Sequence, residues 1–475
     1  MQRQSDERLW AERAFGHAEL GDSRRTDRLV EIATRAAQRP CGKLSAVFKV
    51  ARELDAAYDF VERDHTCIRR LGEAVGRATA EECRGLGRVR IAVDGSSLTL
   101  TDQDHAKGFG AIGTTTAGTR GLKVVSALVV DEDGATVGLL SQSWWARPKS
   151  PPRRSRQERK RANDKKKAHR KESRYWLGAI GEATSRLDEF GAKGWFQLDR
   201  EADAWSMLTR LAASGHWFTV RSASSRVIAD DGTGHVLLRP RMGASRIVDT
   251  YFLEVPAAHG RRARRARMVV RAAFVTLQMR DATRGKRHPL CVNVVWTREE
   301  GTTPRSEKPI DWMLLTNAPV DTKQAVRLVV EGYAMRWRVE EFHKTWKTGG
   351  CNAQLTQLRS RNAVIRWATI LAVVATRIER LKRIARTEPD APASTELSPI
   401  EIEVLVVMKR RYKKKTENVP DGIPSIAQAV RWIADLGGYT GESSGGPPGS
   451  ITIQRGLEHL SVAVEAVLAM RDAKQ

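Results

Sequence analysis

A chain of 475 residues, 41% of them hydrophobic, can bury a large core, and its length points to roughly two to four domains. Its 81 Lys and Arg outnumber 56 Asp and Glu, for a formal net charge of +25. A folded chain this basic needs a polyanion nearby, most commonly nucleic acid; the length argues against a ribosomal protein, and no amphipathic anchor argues for a membrane surface.

The five cysteines, Cys41, Cys67, Cys83, Cys291 and Cys351, form no C-x-x-C pair, which disfavours a zinc site or a disulfide framework and fits a reducing cytosol. Residues 1–12 are polar and charged, with no apolar signal core, and no run is apolar enough to span a bilayer. The expected location is cytoplasmic, without membrane partners.

To about residue 85 the chain reads as helical. Residues 24–37 follow a helical period, with Leu29, Ile32 and Ala33 on one side, and Asp22 or Ser23 can cap the start. Residues 55–61 supply another short amphipathic piece. Near Val89 the period changes, and Arg90-Ile-Ala-Val-Asp94 is a β-rich run that ends in an acid. Residues 122–130 and 135–143, joined by Asp131-Glu-Asp-Gly134, read as a β-hairpin. A Pro-rich break then leads into a strongly basic stretch, residues 147–174, which fits either an extra DNA clamp or a solvated charge run. A helix is expected over 178–190. The strand Trp195-Phe-Gln-Leu-Asp199 again ends in an acid, before a helix over 203–213 and a strand over 217–222.

Residues 225–300 are β-prone and read as a β insertion within an α/β domain. The strand pattern resumes at 312–317. One long helix is expected over 325–346 and another over 361–387. Residues 389–395 look like a linker and 443–449 like a loop. Residues 456–472 form an amphipathic helix suited to packing on a partner.

Strands that end in Asp, followed by a helix that carries Glu, fit metal-dependent phosphoryl transfer on a sheet. Carboxylates would bridge two divalent cations around the scissile phosphate. Asp also ends strands as a plain turn former, and on position alone that reading is the stronger. The third element narrows the choice. Tyr333, Arg336, Glu340, Lys344 and Lys347 are spaced three, four, four and three, within an arc of roughly 60–80° on a helix. A solvated face with a Glu340–Lys344 pair has the same spacing. Tyr, Arg and Trp337 beside that pair suit a polyanion site better.

At these residues the sequence resembles a known family. Tyr333-x-x-Arg336-x-x-x-Glu340-x-x-x-x-x-x-Lys347 matches the Y-R-E-K signature of bacterial insertion-sequence transposases of the DDE class, in particular the transposon-five-like members of the insertion-sequence-four family. Asp199-Arg-Glu-Ala-Asp203 matches the family's second acidic motif, and Asp94, in Ala-Val-Asp-Gly-Ser-Ser-Leu, falls at its first acid. Residues 20–29, Leu-Gly-Asp-Ser-Arg-Arg-Thr-Asp-Arg-Leu, resemble its N-terminal end-binding segment. Three departures stand out. Gly95 follows the first acid where close members have Thr, residues 147–174 are basic where they are acid-rich, and the tail after Pro399 is only loosely similar.

The resemblance implies an α/β chain in three parts. These are an N-terminal helical end-binding domain over 1–85, an RNase H-like catalytic domain over 86–386 with a β insertion at about 225–300, and a C-terminal helical dimerisation domain over 387–475. It implies that Asp94, Asp199 and Glu340 bind two Mg²⁺ or Mn²⁺ ions. Tyr333, Arg336 and Lys347 would grip phosphates, with Lys344 as a further candidate. Arg221 would contact DNA, Trp312 would stack on a flipped base, and Arg24, Arg25 and Arg28 would belong to the end-reading element. The implied activity is cut-and-paste transposition: binding of terminal inverted repeats, nicking, hairpin formation and opening, and joining of 3′ ends to target DNA. A homodimer would hold both ends in a synaptic complex on the bacterial nucleoid. The rival expectations are a non-catalytic DNA-binding regulator or domesticated relative, and an RNase H-fold nuclease that cuts without joining.

Overall fold

The computed structural model describes residues 6–63, 66–102, 106–113, 118–147, 155, 157–158, 171–255, 257, 261–281, 285–301, 303–304, 307–412, 419–441 and 446–473. Most of the basic stretch 147–174 and part of the 443–449 loop lie outside the described residues.

In chain order the helices are α1 (Asp6–Phe15), α2 (Ser23–Gln38), α3 (Leu44–Val47), α4 (Ala51–Glu62), α5 (Ile68–Glu82), α6 (Ser173–Glu189), α7 (Trp205–Ala212), α8 (Leu238–Gly243), α9 (Lys323–Ala334), α10 (Arg338–Lys347), α11 (Arg361–Thr387), α12 (Pro399–Tyr412), α13 (Ile426–Leu436) and α14 (Ser450–Asp472). The strands are β1 (Arg88–Thr99), β2 (Gly110–Ala111), β3 (Arg120–Val130), β4 (Thr136–Trp145), β5 (Lys193–Leu198), β6 (Trp217–Arg221), β7 (Ile247–Val255), β8 (Arg264–Arg280), β9 (Arg287–Glu299) and β10 (Asp311–Thr316). The chain is thus mixed α/β with a large sheet and helical regions at both ends. It divides into two compact units, Met1–Leu86 with Gly95–Pro152 and Arg338–Gln475, and Gly87–Asp94 with Arg153–Trp337.

In the first unit α11 is the central element. Its start is capped by the Ser360 hydroxyl, which accepts from the Ala363 N–H, and nearly its whole length is buried. Two buried polar side chains on it are satisfied by backbone. The Arg366 guanidinium donates to the Val61 and Thr66 carbonyls at 2.7 Å each, and the Trp367 indole to the Gly42 carbonyl at 2.9 Å. Unpaired, such groups would be costly in a core. The Asp22 carboxyl caps α2 by accepting from the Arg24 N–H, and Leu29, Val30, Ile32 and Ala33 turn inward. The expected hairpin is β3 and β4, closed by Asp131, whose carboxylate accepts from the Asp133 and Ala135 N–H groups.

In the second unit β1, β5 and β6 run parallel, and β10, β9, β8 and β7 continue the same sheet antiparallel. The β-prone stretch 225–300 therefore extends this sheet through the β9–β10 pairing. One side of α9 packs on it, with Val326, Val329, Val330 and Tyr333 against Trp195, Val270, Val295 and Leu314.

The single long helix expected over 325–346 is not formed. α9 stops at Ala334, Met335–Trp337 make a 3₁₀ turn, and α10 starts at Arg338. The cause lies in the apolar stripes. Val326, Val329, Val330 and Tyr333 are buried on α9, and Val339, Phe342, His343 and Trp346 on α10. At about 100° per residue an unbroken helix would set these stripes roughly 140° apart. The turn separates them, and it also marks the boundary between the two units. Tyr333 and Arg336 consequently do not share one continuous helix face with Glu340, Lys344 and Lys347.

Candidate active site

The second unit gathers six of the expected site residues. The parallel register pairs Val93 of β1 with Leu198 of β5, and Leu198 with Val220 of β6. One step further along these strands come Asp94, Asp199 and Arg221, on neighbouring strands spaced about 4.8 Å apart. The β1–β5 pairing stops at Val93 and Leu198, although β1 itself continues to Thr99, so Asp94 and Asp199 both follow the last paired residues. Asp199 starts a short 3₁₀ turn, Arg200–Ala202, where its carboxyl accepts the Glu201 N–H at 2.8 Å.

Arg336, in the turn after α9, places Nη1 3.5 Å from Oδ2 of Asp94, and both side chains are largely buried. Tyr333 is 5% exposed and meets Trp312 edge to face, with ring centroids 5.2 Å apart. Burial pushes the Tyr333 phenol above the usual range, against the pull of Arg336 and Arg221 and with a smaller push from Asp199. The phenol therefore stays protonated at neutral pH and can donate a hydrogen bond. Burial lowers the Arg221 guanidinium, which donates from Nη2 to the Asp311 carbonyl at 2.8 Å.

The first unit carries Glu340, Lys344 and Lys347, all on α10. Glu340, half-buried, lies in the first turn of α10, and exposed Lys344 and half-buried Lys347 lie in its last. This order also suits the helix dipole. The Lys347 ammonium donates to the Ser96 hydroxyl at 3.2 Å, and burial depresses its pKa. Buried His343 approaches the Ser126 hydroxyl at 3.3 Å, and burial, helped by the Lys347 charge, lowers it to about 3. Also in this unit, Arg24 is exposed at the start of α2, Arg25 donates to the Leu20 carbonyl at 3.2 Å, and Arg28 pairs with Glu31 at 2.6 Å.

Among the described residues, no three or more His, Cys, Asp or Glu side chains are grouped so as to hold a metal ion. The neighbouring Asp94 and Asp199 positions still offer hard oxygen donors, the type that Mg²⁺ and Mn²⁺ prefer.

A family model for transposase DNA-binding domains matches residues 7–66, and one for the transposase Tn5 dimerisation domain matches residues 373–474. Together the two matches support a Tn5-like transposase of the insertion-sequence-four family. The DNA-binding match takes in α2 with Arg24, Arg25 and Arg28. The dimerisation match takes in α12, α13 and α14. Asp94, Asp199 and Glu340 fall between the two matches. No helix among the described residues is long and apolar enough to cross a membrane.

Sequence reasoning missed several residues around Arg221. Arg200 lay unremarked inside the second acidic motif. Arg239 and Lys308 belong to separate parts of the chain with no local pattern to mark them, and only the sheet brings them near Arg221.

Proposed function

We propose that this transposase works by cut-and-paste: it binds the terminal inverted repeats, cuts the element free by nicking and by forming and opening end hairpins, and joins the 3′ ends to target DNA. The observation that supports the proposal most is the strand register that pairs Val93 with Leu198, the residues just before Asp94 and Asp199. Asp94, Asp199 and Glu340 would hold two Mg²⁺ or Mn²⁺ ions. When bound, such ions activate the attacking water or 3′ hydroxyl and stabilise the leaving oxygen.

The chain's own groups have separable tasks. Arg336 offsets the charge of Asp94 and presents a planar donor to a phosphate. The protonated Tyr333 phenol donates to a phosphate oxygen. Lys347 and Lys344 add cations from α10. Trp312, packed edge-on by Tyr333, offers an indole on which a displaced base can stack. Arg24, Arg25 and Arg28 hold end DNA by its phosphates.

We assign residues 1–85 to end binding, 86–386 to an RNase H-like catalytic domain and 387–475 to dimerisation, with a homodimer bringing two ends together. The strand order supports the RNase H-like assignment. In the second unit the first part of β1 runs parallel to β5, and β5 runs parallel to β6.

A supercoiled plasmid that carries two inverted ends, incubated with the protein and Mg²⁺, tests this reading. Excision with joining is expected. Nicking without joining would make the protein a nuclease, and binding without cutting would make it a regulator.

A further inference from the structure

A cavity of about 400 Å³ in the second unit is lined by Arg200, Arg221, Arg239 and Lys308, with Asp311 as its one acid. The cations come from four places: the 3₁₀ turn after β5, the end of β6, helix α8, and the connection from β9 to β10. Asp311 serves as a fixing post more than a neutraliser. Its Oδ1 accepts the Trp296 indole N–H at 2.8 Å, its Oδ2 accepts Arg239 Nη1 at 2.9 Å, and its carbonyl accepts Arg221 Nη2 at 2.8 Å. Two guanidinium groups are thereby held in place, and the wall keeps a surplus of three positive charges, four cations against one carboxylate. Lys308 is exposed and has no ion-pair partner among the described residues. The charge of Arg200 adds to burial in lowering the pKa of Arg221, so the cations disfavour one another while no anion is bound. Two planar, prepositioned guanidiniums beside an exposed ammonium suit a tetrahedral oxyanion.

We infer that this cavity seats a backbone phosphate of bound DNA, with Arg239 and Lys308 as positioning residues alongside Arg221. The inference rests on the nucleic-acid reading above and assigns the stretch between β6 and β10 a part in holding the strand. The ligand is a phosphodiester; inorganic phosphate has related chemistry and is the competing occupant.

The test uses the full chain with Arg239→Gln, Lys308→Gln and the double variant. Each is titrated with a short labelled DNA duplex across a salt series, with a chelator present so that no cutting occurs. Each single variant is expected to bind several-fold more weakly, with a log–log salt slope smaller by up to about 0.9, the value of one duplex phosphate contact. The double variant should lose no more than about one contact, because both side chains serve one phosphate. Inorganic phosphate should compete only weakly. Unchanged affinity and slope in the double variant would overturn the inference. So would tight phosphate binding that the substitutions remove while DNA binding stays intact. Matching melting temperatures show that the variants fold, and Lys308→Gln breaks no ion pair among the described residues. The assay reads binding without metal, so failed plasmid excision beside a reduced slope would sink the transposition chemistry and spare the seat. No duplex binding by the unaltered chain would sink both.

Discussion

Asp94 and Asp199 each follow the last pair of the parallel β1–β5 pairing, and Arg336 lies close enough to Asp94 to offset its charge. Asp94→Ala, Asp199→Ala and Glu340→Ala are each expected to abolish DNA cleavage and to leave end binding intact in a gel-shift assay. Loss of binding in all three would make these acids structural. His343 supports a second expectation. Burial holds its folded-state pKa at about 3, against an unfolded value of about 6.5. Between those values the unfolded chain binds the extra proton, so the contribution is complete above about pH 6.5 and is lost as pH falls towards 3, at up to about 1.4 kcal/mol per pH unit. The melting temperature should drop along that limb, and His343→Asn should flatten it; an equally steep limb in the variant would assign the acid sensitivity to other groups. The acids were legible in the sequence because each ended an apolar run. His343 was not, because burial of an imidazole depends on β3, which supplies Ser126 from more than two hundred residues away.

Among the elements, most helices and strands fell where periodicity placed them, including α11 and the β3–β4 hairpin. One exception, the break between α9 and α10, was concealed by the Y-R-E-K spacing, which fits a single helix face. The change in apolar phase from Val326–Tyr333 to Val339–Trp346 was present in the sequence but was outweighed by the polar motif. Close helix crossings were also illegible, since they depend on what faces a glycine. A Cβ on Gly456 of α14 would lie 1.7 Å from the Ile433 carbonyl oxygen of α13, and one on Gly437 would lie 1.9 Å from the Thr452 carbonyl oxygen. Backbone cannot yield as a flexible side chain can. In an open helix Gly→Ala gains about 1 kcal/mol, but here overpacking should cost roughly 1–3 kcal/mol. Gly456→Ala is therefore expected to lower the melting temperature and, because α13 and α14 lie in the dimerisation match, to weaken self-association in sedimentation experiments. A more stable variant with unchanged self-association would contradict this crossing.

For the whole molecule, the decisive quantity is a net charge of +25 carried by a chain whose N-terminal part matches a transposase DNA-binding model. Such a surplus opposes compaction by self-repulsion, and a polyanion relieves that repulsion when it binds. Release of counterions from DNA should then dominate affinity. If the end-binding helix, the Tyr333–Arg336 turn, Lys344, Lys347 and the Arg200–Arg239–Lys308 cavity together engage about 6–10 phosphates, affinity should fall by roughly 10³–10⁵ between about 50 and 200 mM salt. Phosphate contacts carry no sequence information directly. Duplexes with and without the element's inverted ends should therefore share most of this slope and differ mainly in intercept. A fluorescence-anisotropy titration at several salt concentrations measures both. A nearly flat response would mean that few of these cations touch DNA together, and the surplus charge would then need another explanation.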